Sequence, residues 1–377
     1  MIYLDYAATT PLDQDILQTY EKLLGKYFAN ADSAYDLGYE VSRLYETSRE
    51  KIAGLLGVAS NEVIFTSCAS EANNLAIKGT CFAYQNRGKH IITTAVEHAS
   101  VANCFTQLHD VFGFEVDVLP VDKEGRIDLD ELAAKIRPDT ILVSTMYVNN
   151  EMGTVNPIHD IAAIIHQKNP KTKYHVDCVQ ALGKLPVDLT DIDLASFSAH
   201  KIYGLKGSGL LYKSHKTNVE PIISGGQQEF GLRGGTVNSA TAIVFAKTLR
   251  KALTERQAHY DHVVKLNQKL RSALSARDDI VINSPEDASP FILNFSCPHY
   301  KPEVIVHDLE AQGIYISTKS ACSSRSTVSH TIAALGLDPL IAESAMRVSL
   351  SHLTSEEDID AFLKALDTSL ARTRKQR

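Results

Sequence analysis

Residues 193–213 read DLASFSAHKIYGLKGSGLLYK. Two short apolar runs, DLASFSA (193–199) and SGLLYK (208–213), enclose a turn that contains Lys201. Runs of that length, bounded by glycine and charge, predict buried strands. Five similar runs lie upstream: EVIFTS (62–67), KHIITTA (89–95), EVDVLPV (115–121), TILVSTMYV (140–148) and KYHVD (173–177). Helical patterns alternate with them, among them ASEANNLAIKGTCFAYQ (69–85), HASVANCFTQLHDV (98–111), DLDELAAKI (128–136) and IHDIAAIIHQK (158–168). Such alternation predicts an α/β fold with a mainly parallel sheet covered on both faces. Ligands of such sheets bind beyond the carboxyl ends of the strands.

Further along, GGQQEFGLRGGT (225–236) is too glycine-rich for regular structure, and a long helical pattern follows at about 239–276 behind Asn238. The final hundred residues read as a smaller α+β unit in which VIVHDLEAQG (304–313) and IYIST (314–318) are taken as strands. The expected division is a large domain over 14–250 and a small one formed by 1–13 with 251–377. At 377 residues, 44% hydrophobic and 22% charged, the chain has room for both.

The strand ends hold the chemistry. Lys201 follows a strand directly and sits beside His200, where burial and positive neighbours disfavour an ammonium ion, as an imine-forming amine requires. KYHVD ends in Asp177, a carboxylate that is costly after an apolar strand unless paired. A protonated ring nitrogen suits it, and Gln180, one turn on, can donate to a phenolic oxygen of the same ring. The turn after EVIFTS leads into a helix whose first amides, with the Ser70 hydroxyl, make a phosphate seat. His98 lies just past another strand and can stack on a ring or carry protons. Cys322 stands in STKSACSSRSTVS (317–329), a serine-rich stretch expected to be mobile, with Lys319 and Arg325 favouring its thiolate.

Composition narrows the classes. A formal net charge of −7 argues against direct nucleic-acid binding or attachment to an anionic membrane. A basic cluster at Arg372, Arg374, Lys375 and Arg377 reads as a solvated tail, or else as a partner or RNA contact. The six cysteines (Cys68, Cys81, Cys104, Cys178, Cys297, Cys322) contain no C-x-x-C pair, so no local metal knuckle is expected. MIYLDYAATT lacks a basic segment followed by an apolar one, and no apolar run approaches a membrane span; the expected location is the cytoplasm.

Taken in order, the motifs resemble the cysteine desulfurases of the NifS/IscS group, within the class V aminotransferase fold. The marks are FTS-x-A-S-E-x-NNLAIKG (65–79), VEH (96–98), VNNE-x-G (148–153), HVD-x-x-Q (175–180), SAHKIYG-x-KG (198–207), SACSS (320–324) and MRVSLS (346–351). The resemblance runs from YLDYAATTP (3–11) to TSEEDID (354–360). It implies a type I pyridoxal 5′-phosphate (PLP) fold with a seven-stranded sheet, and an enzyme that converts L-cysteine to alanine. Lys201 would hold the cofactor as a Schiff base and move protons. Asp177 would face the pyridine nitrogen, Gln180 the phenolic oxygen, and His98 would stack on the ring. Ala69, Ser70, Ser198 and His200 would hold the phosphate, with Thr236 added from the partner of a homodimer. Asn150 and Arg347 would grip the substrate carboxylate. Cys322 would take the sulfur as a persulfide and pass it to an acceptor, an iron–sulfur scaffold or a tRNA-thiolating enzyme.

The chain departs from the family pattern at Asn30-Ala31-Asp32-Ser33-Ala34-Tyr35, Cys68, Phe230 and Ser351-His352. Two alternatives accompany the desulfurase reading. One is a selenocysteine lyase or other class V enzyme in which Cys322 is incidental. The other is a weakly active dimeric scaffold for sulfur-transfer partners.

Overall fold

The computed structural model describes residues 1–318 and 328–373. A two-residue strand, β1 (Ile2–Tyr3), precedes helices α1 (Gln14–Lys26) and α2 (Asp36–Leu56). The main sheet then assembles from β2 (Val63–Thr66), β3 (His90–Thr94), β4 (Glu115–Leu119), β5 (Thr140–Met146), β6 (Lys173–Asp177), β7 (Leu194–Ser198) and β8 (Gly209–Lys213). Its order is β2-β8-β7-β6-β5-β3-β4, and only β8 runs against the rest. The seven expected strands are therefore the seven observed ones. Strands β2, β3, β5 and β7 are buried at every position, which is why they read as continuous apolar or small-residue runs rather than alternating ones.

Helices α3 (Ala69–Tyr84), α4 (Ala99–Phe112), α5 (Leu129–Lys135) and α6 (Ile158–Lys168) connect the strands. Helix α7 (Ser239–Ser275) begins at Asn238, whose side chain accepts from Thr241 N. It is one helix of 37 residues serving two cores. Ala242, Phe245, Ala246 and Leu249 join the core that includes Val143, Tyr174 and Phe197 of the main sheet. Val263, Leu266, Leu270 and Leu274 join a second core with Phe295, Val348 and Phe362.

The second core packs on a small antiparallel sheet of β9 (Val281–Ile282), β10 (Ile292–Ser296) and β12 (Ala345–Ser349), while β11 (Ile314–Tyr315) pairs in parallel with β1. The strand expected over 304–313 is instead a helix, Pro302–Ala311. Pro302 supplies the fixed φ of a first helical residue, and Ile305 and Leu309 are buried one turn apart while Val304 is exposed. The V-I-V run has strand composition but helical spacing. Among the described residues, no helix is long and apolar enough to cross a membrane.

Candidate active site

The carboxyl ends of the main-sheet strands open on a cavity of about 260 Å³. Ala69, Ser70, His98, Asn150, Asp177, Gln180, Ser198, His200, Lys201 and Arg347 all line it, so residues far apart in sequence meet in one place. Thr236 lies apart, in a smaller cavity with Thr66 and Ser67. Cys322 and the surrounding 319–327 lie outside the described residues, as do the basic residues 374–377.

Lys201 leaves the end of β7 and extends toward residues 7–8. Its Nζ donates to Ala7 O at 2.5 Å and to Ala8 O at 2.7 Å. Two residues on, Tyr203 adopts a left-handed φ of 66°, uncommon for a bulky side chain. Its hydroxyl shares a 2.5 Å hydrogen bond with Ser351, and its ring meets that of His352 edge-on, with His352 stacked on His259 at 3.8 Å. The departures at 351–352 thus brace the turn that carries the lysine.

Asp177 ends β6 with both oxygens engaged. Oδ1 accepts from Val179 N and Oδ2 from Asn73 Nδ2, each at 3.0 Å. It therefore caps its own turn and also faces the cavity. His98 caps α4 by accepting at Nδ1 from Ser100 N, which leaves the ring hydrogen on Nε2. Burial holds its pKa below the ordinary value. Beside it, burial raises Glu97 to about 8, so this carboxyl is largely protonated at neutral pH. Burial, then Lys201, Lys206 and Lys184, lowers His200 to about 4. Both histidines are neutral at physiological pH.

Arg347, on β12, is held by two partners. Nη1 donates to Asn150 O at 2.8 Å and Nη2 pairs with Asp5 at 2.6 Å. Its Nε is buried and finds no hydrogen-bond partner among the described residues. The same holds for the hydroxyl of Ser198. No side chain caps the first turn of α3, and that turn lies so close to β8 that a Cβ at Gly209 would meet Cys68 Cα at 2.7 Å. These features fit a phosphate-bearing ring cofactor: a hydroxyl and uncapped amides for an anion, an acid for a ring nitrogen, and an amine between them.

Asn73, Asp5, Ala7, Ala8 and Lys184 escaped the sequence reading. All but Lys184 act through a partner distant in sequence. The run ALGKLPVDL (181–189), with one lysine amid apolar residues and four positions after Gln180, is the signal that points to Lys184.

Residues 2–362 match the model of the aminotransferase class-V family. A NifS/IcsS protein homolog from Lactobacillus delbrueckii subsp. bulgaricus is 44% identical over 97% of this chain and 96% of its own length. A cysteine desulfurase IscS from Dictyoglomus turgidum is 39% identical over 99% and 95%. A solved NifS-like protein superposes with a TM-score of 0.93 at 37% identity, covering 98% of this chain and 99% of that one. SspA, solved in complex with cysteine, gives 0.83 at 31% identity over 94% and 100%.

Proposed function

We propose a division of labour in the cavity from the premise that the chain belongs to the aminotransferase class-V family and, within it, to the NifS/IscS cysteine desulfurases. The protein is a PLP-dependent enzyme acting on L-cysteine. When bound, the cofactor supplies an electron-accepting ring that weakens bonds at the substrate's Cα and Cβ.

Lys201 Nζ would hold the cofactor covalently and, when free, would move the proton at the substrate's Cα. Asp177, steadied by Asn73, would pair with the ring nitrogen, Gln180 would donate to the phenolic oxygen and His98 would stack on the ring. Ser70, Ser198, His200 and the first amides of α3 receive the phosphate. Arg347 and Asn150 receive the substrate carboxylate, and Asp5 fixes the guanidinium. The Cys322 thiolate then takes the substrate sulfur. The Cβ–S bond breaks, an S–S bond forms, and the electron pair left on carbon gains a proton, so that alanine leaves. Sulfur is oxidised as carbon is reduced, and no external oxidant enters. The persulfide passes to an iron–sulfur scaffold or a tRNA-thiolating enzyme, and the chain works as a homodimer in which Thr236 completes the partner's phosphate site.

One observation supports this reading above the others: a single cavity gathers Lys201, Asp177, Gln180, Ser198 and Arg347. The test is alanine release from L-cysteine in the presence of a reducing thiol. Cys322→Ala should keep the cofactor's visible absorbance and lose alanine release; undiminished release by that variant would remove Cys322 from the mechanism. Co-purification followed by transfer of labelled sulfur identifies the acceptor.

A further inference from the structure

Lys184 lies four residues after Gln180 in the turn that follows β6, and both side chains are buried. Ala181 N and Leu182 N donate to Cys178 O, and Lys184 N and Leu185 N to Ala181 O. This helix-like winding puts positions 180 and 184 on one side. Lys184 Nζ donates to Gln180 Oε1 at 2.8 Å. The Lys184 nitrogen carries N–H donors in either protonation state and as an ammonium can only donate, so it favours the amide oxygen and leaves Nε2 as the edge that donates elsewhere. That Nε2 donates to Ala7 O at 3.0 Å, the same carbonyl that receives Lys201 Nζ. Lys184 lines a second cavity of about 470 Å³ that shares Lys201 with the first, and it is absent from the first cavity's wall. Gln180 stands between it and the site. Burial, with Lys201 and Arg347 nearby, lowers its pKa to about 7.

We propose that Lys184 is a positioning residue that locks the Gln180 amide with its N–H edge toward the cofactor cavity. Turned over, the amide would present oxygen to the anionic phenolic oxygen and repel it. This inference rests on the cavity being a PLP site.

The test uses purified protein titrated with PLP. Lys184→Met keeps an unbranched buried chain and removes the donor. It should weaken cofactor affinity about ten-fold and shift the pH titration of the bound cofactor's visible band, as Gln180→Ala does. The double variant should show little beyond either single change, because the two residues act in series. Lys184→Arg, which keeps a donor, should restore most of the affinity and the band. Wild-type affinity and spectrum in Lys184→Met, or effects of the two substitutions that multiply, would overturn the proposal. If Lys184→Met does not fold, Lys184→Arg decides: near wild-type behaviour supports the proposal and a ten-fold loss overturns it. A wild-type chain that binds no PLP would instead sink the cofactor site itself, which separates the two failures.

Discussion

Arg49 and Arg347 are equally buried, yet their surroundings differ in kind. Arg49 has every nitrogen engaged: Nε bonds Glu46, Nη1 bonds Val63 O and Glu229, and Nη2 bonds Glu229 at 2.7 Å. Glu229 in turn accepts from Phe65 N and the Tyr45 hydroxyl. Its left-handed backbone and that of Phe230, whose ring lies 4.9 Å from the Arg49 guanidinium carbon, tie the glycine-rich loop down. Arg347 has an unfilled Nε, and the cavity it lines holds the unfilled hydroxyl of Ser198. A buried charge whose valences are closed holds structure together; one with a valence left open beside a cavity can still take a ligand.

The contrast can be broken at its strongest point with Lys201→Ala. Alanine release should fall by at least about a thousand-fold while the thermal midpoint of the cofactor-free protein stays put. A collapse of that midpoint would make Lys201 structural. Glu229→Ala should do the reverse, removing the buried carboxylate of Arg49 and leaving it only the more exposed Glu46, at a cost of about 3–5 kcal/mol, read as a lower urea midpoint. A shift below about 1 kcal/mol would put Arg49 in the same class as Arg347. Arg347→Lys keeps the charge and loses the planar fork, so KM for cysteine should rise about ten-fold with a smaller change in kcat. Equal falls in kcat and kcat/KM would place its role in the transition state instead.

The smallest effect concerns three histidines. Burial depresses His175 to about 3 and leads the depression of His200 and His352 to about 4, against about 6.5 in an unfolded chain. Each is neutral when folded and gains a proton more readily when unfolded. Their contribution is therefore complete above about pH 6.5 and lost as pH falls toward 4 and then 3. Thermal midpoints across that range should decline with acidity; a flat profile from pH 7 to 4 would contradict it.

The main sheet was legible because most of its strands, the edge strand β4 excepted, are buried on both faces and announce themselves by composition. Residues 302–311 were not, because Val304, Ile305 and Val306 look like strand until Pro302 and the 305/309 spacing are weighed. In the site, the placing of Asp177, Lys201, His98 and Ser70 at strand ends could be read from the sequence, while their roles came from the family resemblance. Their supports could not be read. Asn73 reaches Asp177 across 104 residues and Asp5 reaches Arg347 across 342, and single-chain spacing carries no sign of such pairings.

The carbonyls that receive Lys201 belong to residues 7 and 8, and that segment is sewn to the far part of the chain. Leu4 N bonds Tyr315 O, Ser349 N bonds Leu4 O, and Ala7 N bonds the Ser349 hydroxyl. On the ribosome, residues 2–7 emerge long before Tyr315 and Ser349, the partners of Leu4 and Ala7, have been made. The main-sheet strands are complete by residue 213, so this wall of the cavity is held from both sides only once synthesis has passed residue 349. A chain halted before residue 347 would hold the Lys201 acceptors by their main-sheet contacts alone, lack the Arg347 guanidinium of the cavity, and stay inert.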